Sequence, residues 1–195
     1  MEYHRILLTM EVIVKNVTVA VVVGLIGIAV AAIHAQEAPE VMLKAGDPAP
    51  AFSLVGTDGK THSLSDLKGK PVVVAWFPKA FTQGCTIECK SMREAGEQIR
   101  HYDVAYFAAS VDDAETNKKF AESLELDFPI LSDPEKNVAR AYGVVTPERQ
   151  VAHRWTFYIG GDGKILAVDR NVQPKTAAQD ISAKLGELGV AKKTS

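Results

Sequence analysis

The chain is poor in cysteine: its 195 residues hold two, Cys85 and Cys89, too close together to staple distant parts of the chain. A disulfide scaffold is thereby excluded, and whatever value the pair has is chemical. Long runs of like charge are also missing. The 22 basic and 24 acidic residues leave a formal charge of −2, so there is no electrostatic footprint for nucleic acid, and a small-molecule or protein substrate is expected. Internal repeats and low-complexity tracts are absent. His62, His101 and His153 lie far apart and show no ligand spacing with either cysteine. The sequence therefore calls for no metal, and nothing in it calls for a cofactor.

One long apolar run is present, near the start. From Val17 to Ile33 the chain carries no charge; Lys15 precedes the run, and His34-Ala35-Gln36 and an acidic, proline-containing stretch follow it. This is an export-signal pattern, with Met10 as an alternative start and cleavage expected after Ala35. The alternative is an uncleaved anchor of about the minimum length for a bilayer span. No cysteine stands at the end of the run, which excludes lipidation there. The expected organisation is a signal peptide or N-terminal membrane anchor over 1–35, a linker over 36–45, a folded domain over 46–190 and a flexible tail over 191–195. Export to the periplasm follows, with membrane contact only if the N-terminal segment is retained.

After the linker, strands and helices alternate. Ala51-Phe52-Ser53-Leu54 reads as a short strand, Thr57-Asp58-Gly59-Lys60 as a turn and Ser63 to Leu67 as a loop or single helical turn. Pro71 to Phe77 is continuously apolar and β-branched, the pattern of a central strand covered on both faces. Cys85, Cys89, Met92, Gly96 and Ile99 then recur at helical spacing, so both cysteines share one inward face. A second buried strand spans Val104 to Val111, and a charged helix runs from about Asp113 to Leu124. Phe128 to Ser132, a short helix around Glu135 to Tyr142 and a strand from His153 to Ile159 follow. Gly160-Gly161-Asp162-Gly163 turns the chain into Lys164 to Asp169, and a final amphipathic helix runs from about Thr176 to Leu188. The order indicates one α/β layered domain.

Cys85 stands at the mouth of the helix that follows the apolar strand. Backbone N–H groups are unsatisfied there and the helix carries partial positive charge, which favours thiolate, the form that attacks. The bland alternative is that both cysteines are small buried hydrophobes. Pro78 can likewise simply end the strand, and Thr82 can cap the helix. Arg154 beside Trp155 can be a stacked surface arginine, and Glu88 an exposed first-turn acid favoured by the helix dipole.

Pro78-x-x-x-Thr82-x-x-Cys85 after a hydrophobic strand, with Arg154 in the run His153 to Ile159 just before Gly161-Asp162-Gly163-Lys164, resembles the peroxiredoxins. Within them the likeness is to the Q-type, or bacterioferritin comigratory protein, group. It covers nearly all of Ala45 to Gly189, including Gly46 to Phe52 and Pro129 to Asp133. The resemblance implies a thioredoxin-like fold with a central mixed β-sheet flanked by helices, and a thiol peroxidase acting on hydrogen peroxide and organic hydroperoxides. It implies Cys85 as the peroxidatic thiol and Arg154 as a fixed charge beside the sulfur that also stabilises the departing oxygen. Thr82 would orient the peroxide, Pro78 would shape and shield the pocket, and Glu88 occupies a position that often carries Glu or Gln.

By the same resemblance Cys89 is the resolving thiol, although the group's commoner second cysteine follows the first by five positions, and Gln83 stands where a proline is usual. Residues four apart on a helix have Cα atoms about 6 Å apart. A disulfide tolerates that separation but wants Cβ atoms near 4 Å, which parallel Cβ vectors do not supply. Oxidation is therefore expected to unwind the turn Cys85 to Cys89. A thioredoxin-like dithiol protein would be the reductant, and the group is often monomeric. Two other classes remain open on sequence. One is a thioredoxin-type thiol–disulfide oxidoreductase, although such enzymes place two residues between their cysteines. The other is a non-catalytic thioredoxin-like binding domain.

Overall fold

In the computed structural model, which describes residues 41–193, seven strands form one mixed sheet. They are β1 (Ser53–Gly56), β2 (Thr61–Ser63), β3 (Val72–Trp76), β4 (Ala105–Ser110), β5 (Ile130–Ser132), β6 (Trp155–Ile159) and β7 (Ile165–Asp169). Their spatial order is β2-β1-β5-β4-β3-β6-β7. β3 runs parallel to β4 and antiparallel to β6, and every one of its residues is buried. The apolar run starting at Pro71 is thus the centre of the sheet, where both faces must be covered.

Five helices and a 3₁₀ turn (Leu64–Leu67) connect and cover the strands: α1 (Gln83–Glu94), α2 (Gly96–Arg100), α3 (Ala114–Ser123), α4 (Asn137–Ala141) and α5 (Ala177–Glu187). Alternation along β3 divides the interior. Val73 and Ala75 face a core shared with Cys85, Cys89 and Met92 of α1, Ile99 of α2, Phe120 of α3 and Ile181 of α5. Val72, Val74 and Trp76 face a second core with Phe52, Leu54, Ala139 and Tyr142. The expected α/β architecture, a central mixed sheet flanked by helices, is present.

Several boundaries differ from the sequence reading. β1 lies two residues later than Ala51–Leu54, because Leu54 and Gly56 point inward while Val55 and Gly56 pair with Ser132 and Leu131 of β5. The single stripe Cys85 to Ile99 is carried by two helices, broken at Ala95, whose φ and ψ of −105° and 14° leave the helical region. Leu43, inside the segment read as a linker, packs on the second core, and its carbonyl accepts from the Arg170 guanidinium. At the other end, residues 191–193 are tied rather than loose. The Asp103 amide donates to the Ala191 carbonyl at 2.8 Å, and the Lys193 amide donates to the His101 carbonyl at 2.8 Å. The expected signal or anchor over 1–35 lies outside the described residues. Among those described, no helix is long and apolar enough to cross a membrane.

Gly143 closes α4 with φ of +69°, and a Cβ there would stand 2.0 Å from the Val41 carbonyl oxygen. Left-handed backbone alone costs a non-glycine residue about 1–2 kcal/mol, and a backbone oxygen cannot step aside as a side chain can. Gly143→Ala is therefore expected to lower stability by about 2 kcal/mol or more, read as a lower urea midpoint.

Candidate active site

The register of the sheet brings Arg154 to the cysteine. Trp155, the first residue of β6, pairs with Trp76, the last of β3, so Arg154 arrives where the chain leaves the sheet towards α1. It precedes the strand rather than lying within it, a correction to the reading of His153 to Ile159. Its parity along the chain is that of Tyr158, which belongs to the core containing α1. The guanidinium therefore reaches the helix face: Nη2 lies 3.4 Å from Cys85 Sγ, and Nη1 donates to Glu88 Oε2. Arg154 does not stack on Trp155. Arg170 does, with its Cζ 4.9 Å from the ring centroid, while the His153 ring stacks on the same indole at 4.9 Å.

Cys85 is the third residue of α1 and fully buried. The first hydrogen bond into the helix runs from the Thr86 amide to the Thr82 carbonyl at 2.9 Å, so the amides of Gln83, Gly84 and Cys85 precede the helical ladder. Thr82 occupies the N-cap position, yet its side chain makes no capping bond. Its hydroxyl donates instead to the Lys79 carbonyl at 2.9 Å, leaving its lone pairs free to accept. The capping alternative for Thr82 is thereby removed. Pro78 is half-buried in the segment between β3 and α1.

Glu88 is not the exposed first-turn acid of the bland reading. It is 1% exposed, one turn beyond Cys85 on the same face, and burial pushes its carboxyl pKa up to about 7 while the Arg154 charge pulls the other way. Its Oε1 has no hydrogen-bond partner. Cys89 is fully buried as well, and burial, with Glu88 and Cys85 beside it, pushes its thiol well above the usual cysteine range. Both cysteines are free thiols. Among the described residues no group of His, Cys, Asp and Glu is arranged to hold a metal ion.

Two residues of this site went unnoticed in the sequence. Gly84 sits under Arg154: a Cβ there would be 3.1 Å from Nη2, so glycine permits the approach. A glycine inside the first helical turn, where it is disfavoured, was the available signal. Asp112, just beyond β4, accepts the Ala80 amide at 2.8 Å. No local pattern announces a contact across that sequence distance.

Known proteins share the fold and part of the sequence. The AhpC/TSA family model matches residues 45–168. Peroxiredoxin Bcp of Escherichia coli K12 is 37% identical over 129 residues, which span 63% of this chain and 83% of that protein. The crystal structure of peroxidoxin BcpB from Mycobacterium tuberculosis is 30% identical, with a TM-score of 0.68, covering 75% of this chain and 98% of that one. The bacterioferritin comigratory protein of Xanthomonas campestris, described for its alkyl peroxide reduction activity, is 22% identical with a TM-score of 0.67, over 73% of this chain and 98% of its own. These likenesses define a thiol peroxidase of thioredoxin-like fold, which takes a peroxide as substrate and a thiol as reductant. The chain belongs to the AhpC/TSA family, among its peroxiredoxins of the Bcp and Q type.

The buried carboxyl has a consequence for stability. Its pKa of about 7 in the folded chain lies above the ordinary 4.5. A group raised on folding contributes stability that is fully present below the unfolded value and is lost as pH rises through the folded one. Glu88→Gln removes this titration. The variant's stability is expected to gain on the wild type's by on the order of 3 kcal/mol as pH rises from 4.5 to above 7, measured as the difference in urea midpoints across that range.

Proposed function

We propose that Cys85 is the peroxidatic thiol and that it attacks the terminal oxygen of a hydroperoxide as a thiolate. The S–O bond forms as the O–O bond breaks; the departing oxygen takes a proton and leaves as water or an alcohol, and Cys85 becomes a sulfenic acid. The observation that carries the proposal is a single guanidinium that lies 3.4 Å from the sulfur and is held from behind by Glu88. A fixed positive charge so placed favours negative charge on sulfur and on the leaving oxygen without reorganising during the reaction. Thr82 orients the peroxide through its accepting lone pairs. Pro78 and the amides ahead of the helical ladder shape the oxygen-binding side, and Glu88 fixes the rotation of Arg154. Hydrogen peroxide and organic hydroperoxides are both substrates. The exposed ring of Phe81, 58% accessible and next to Thr82 in the chain, gives an alkyl group an apolar wall.

Cys89 resolves the sulfenic acid: its thiol displaces water, and the Cys85–Cys89 disulfide forms. In the folded helix Cys89 is dry and held as a thiol, so the step requires the turn between the cysteines to unwind. A thioredoxin-like dithiol protein then reduces the disulfide. The enzyme acts as a monomer after export to the periplasm, carried there by the apolar run Val17 to Ile33, which anchors it to the membrane if it is not cleaved. An exported or membrane-linked donor follows, because a cytosolic one would not reach it.

Stopped-flow peroxide reduction is expected to vanish in Cys85→Ser and to slow by about 10²–10³-fold in Arg154→Ala, the usual cost of losing a donor aimed at developing charge. One equivalent of peroxide should give a Cys85–Cys89 disulfide by mass spectrometry, and Cys89→Ser should accumulate sulfenic and then sulfinic Cys85. A Cys89 that stays reduced through turnover would make this a one-cysteine enzyme.

A further inference from the structure

The chain between β3 and α1 adopts a costly conformation just before the reactive turn. Phe81 has φ of +62°, a left-handed backbone that an aromatic residue rarely adopts. Within the segment, the Thr82 hydroxyl bonds only as far back as the Lys79 carbonyl. Three contacts tie the segment to distant parts of the chain: the Phe77 amide donates to the Ala109 carbonyl at 2.9 Å, the Phe81 ring packs edge-on against Phe120 at 5.1 Å, and Asp112 Oδ2, which also lies 3.0 Å from the Ser110 hydroxyl, accepts the Ala80 amide at 2.8 Å. That carboxylate does not depend on the segment for its own position. The Asp112 amide donates to Ser110 Oγ at 3.1 Å, the single Ser110 hydroxyl proton is shared between Asp112 Oδ2 and Asn117 Oδ1, the latter 3.1 Å away, and Asn117 Nδ2 donates to Ser132 Oγ at 2.9 Å. Ser110 and Asn117 are fully buried. The carboxylate is thus fixed by β4, α3 and β5, and it holds the segment at the Ala80 amide.

We propose that Asp112 is a positioning residue that sets the balance between two states of the reactive turn. In the folded turn Cys85 faces Arg154 and attacks peroxide; in the unwound turn it reaches Cys89. The inference rests on the roles proposed above for the two cysteines. Cys85 leaves its buried place only if the chain leading into it moves, and the Ala80 bond is made in the folded turn. Its strength therefore falls on one side of the balance. A hydrogen bond to a charged acceptor is enough to shift such an equilibrium by about tenfold or more.

The two half-reactions separate this role from simple support of the fold. In single turnovers, Asp112→Ala is expected to quicken disulfide formation by about tenfold, to slow the attack on hydrogen peroxide, and to lower sulfinic acid formation at high peroxide. Asp112→Asn keeps an accepting oxygen in the same place and restores both rates towards wild type. A disulfide step unchanged or slower in Asp112→Ala, or a peroxide step that quickens with it, overturns the inference. A wild-type protein that forms no Cys85–Cys89 disulfide overturns instead the assignment of the cysteines, so the two failures are distinct. The unmodified protein supplies a second test that does not depend on a variant folding. The Ala80 amide should be protected from hydrogen exchange in the reduced protein and lose that protection in the disulfide form; equal exchange in both states overturns the inference as well.

Discussion

The contact on which the site depends is the grip of α1 on the Arg154 guanidinium. A charge placed against a buried sulfur is itself partly withdrawn from water, and it persists there only if a counter-charge accompanies it. Glu88 supplies that counter-charge from the same helix, three residues after Cys85, where helical geometry puts it on the same face. The two ends of the fork are therefore occupied by one turn of helix. Removing any one of the three groups leaves the others unbalanced in a dry place, which costs more than the lost contact alone. Glu88 already shows the cost: burial lifts its pKa to about 7 with Arg154 beside it, and one of its oxygens has no partner.

The helical turn that holds the charge against the sulfur is also the turn that a Cys85–Cys89 disulfide would have to break. On an intact helix the two Cβ vectors run nearly parallel, and the sulfurs cannot meet at bonding distance without backbone movement. Tight packing favours the first role, since Cys85, Cys89 and Met92 are fully buried in one core. The second role needs the start of the helix to be weaker than its middle. α1 is built that way: its first turn has no side-chain cap and contains a glycine, while its later turns carry Met92 and the Arg93 guanidinium, which donates to the Leu124 carbonyl at 3.0 Å.

What the sequence made legible was what periodicity and local chemistry encode. The apolar β3 run, the helical stripe through both cysteines and the Gly-rich hairpin into β7 follow from spacing alone. The proline, threonine, cysteine and arginine were found through a pattern spread along the chain. The burial of Glu88 was not legible, because an acid near the start of a helix is ordinarily exposed, and the Arg154 guanidinium that meets it comes from a residue 66 positions further along the chain. Nor was the choice of arginine over Trp155. Arg154 is the sequence neighbour, but strand alternation sends it to the opposite face, and Arg170, just beyond β7, takes the indole. Asp112 was invisible for the same reason: its partner is Ala80, 32 residues away, joined to it through the parallel pairing of β3 and β4.

Gly84 brings the two demands on the helix together. Glycine within a helix costs about 1 kcal/mol relative to alanine, and at most helical positions that cost has no return. Here an added Cβ would stand 3.1 Å from Arg154 Nη2, close enough that the guanidinium would have to give way by a few tenths of an ångström. The fork is already fixed at its other nitrogen by Glu88, so the movement would be taken out of its approach to Cys85. The same substitution would stiffen the turn by removing the glycine's extra freedom when unfolded. A larger residue would therefore push the guanidinium away from the sulfur and hold the turn more firmly at once. Both effects oppose the proposed chemistry, one in each half of it, and a residue without a side chain avoids both.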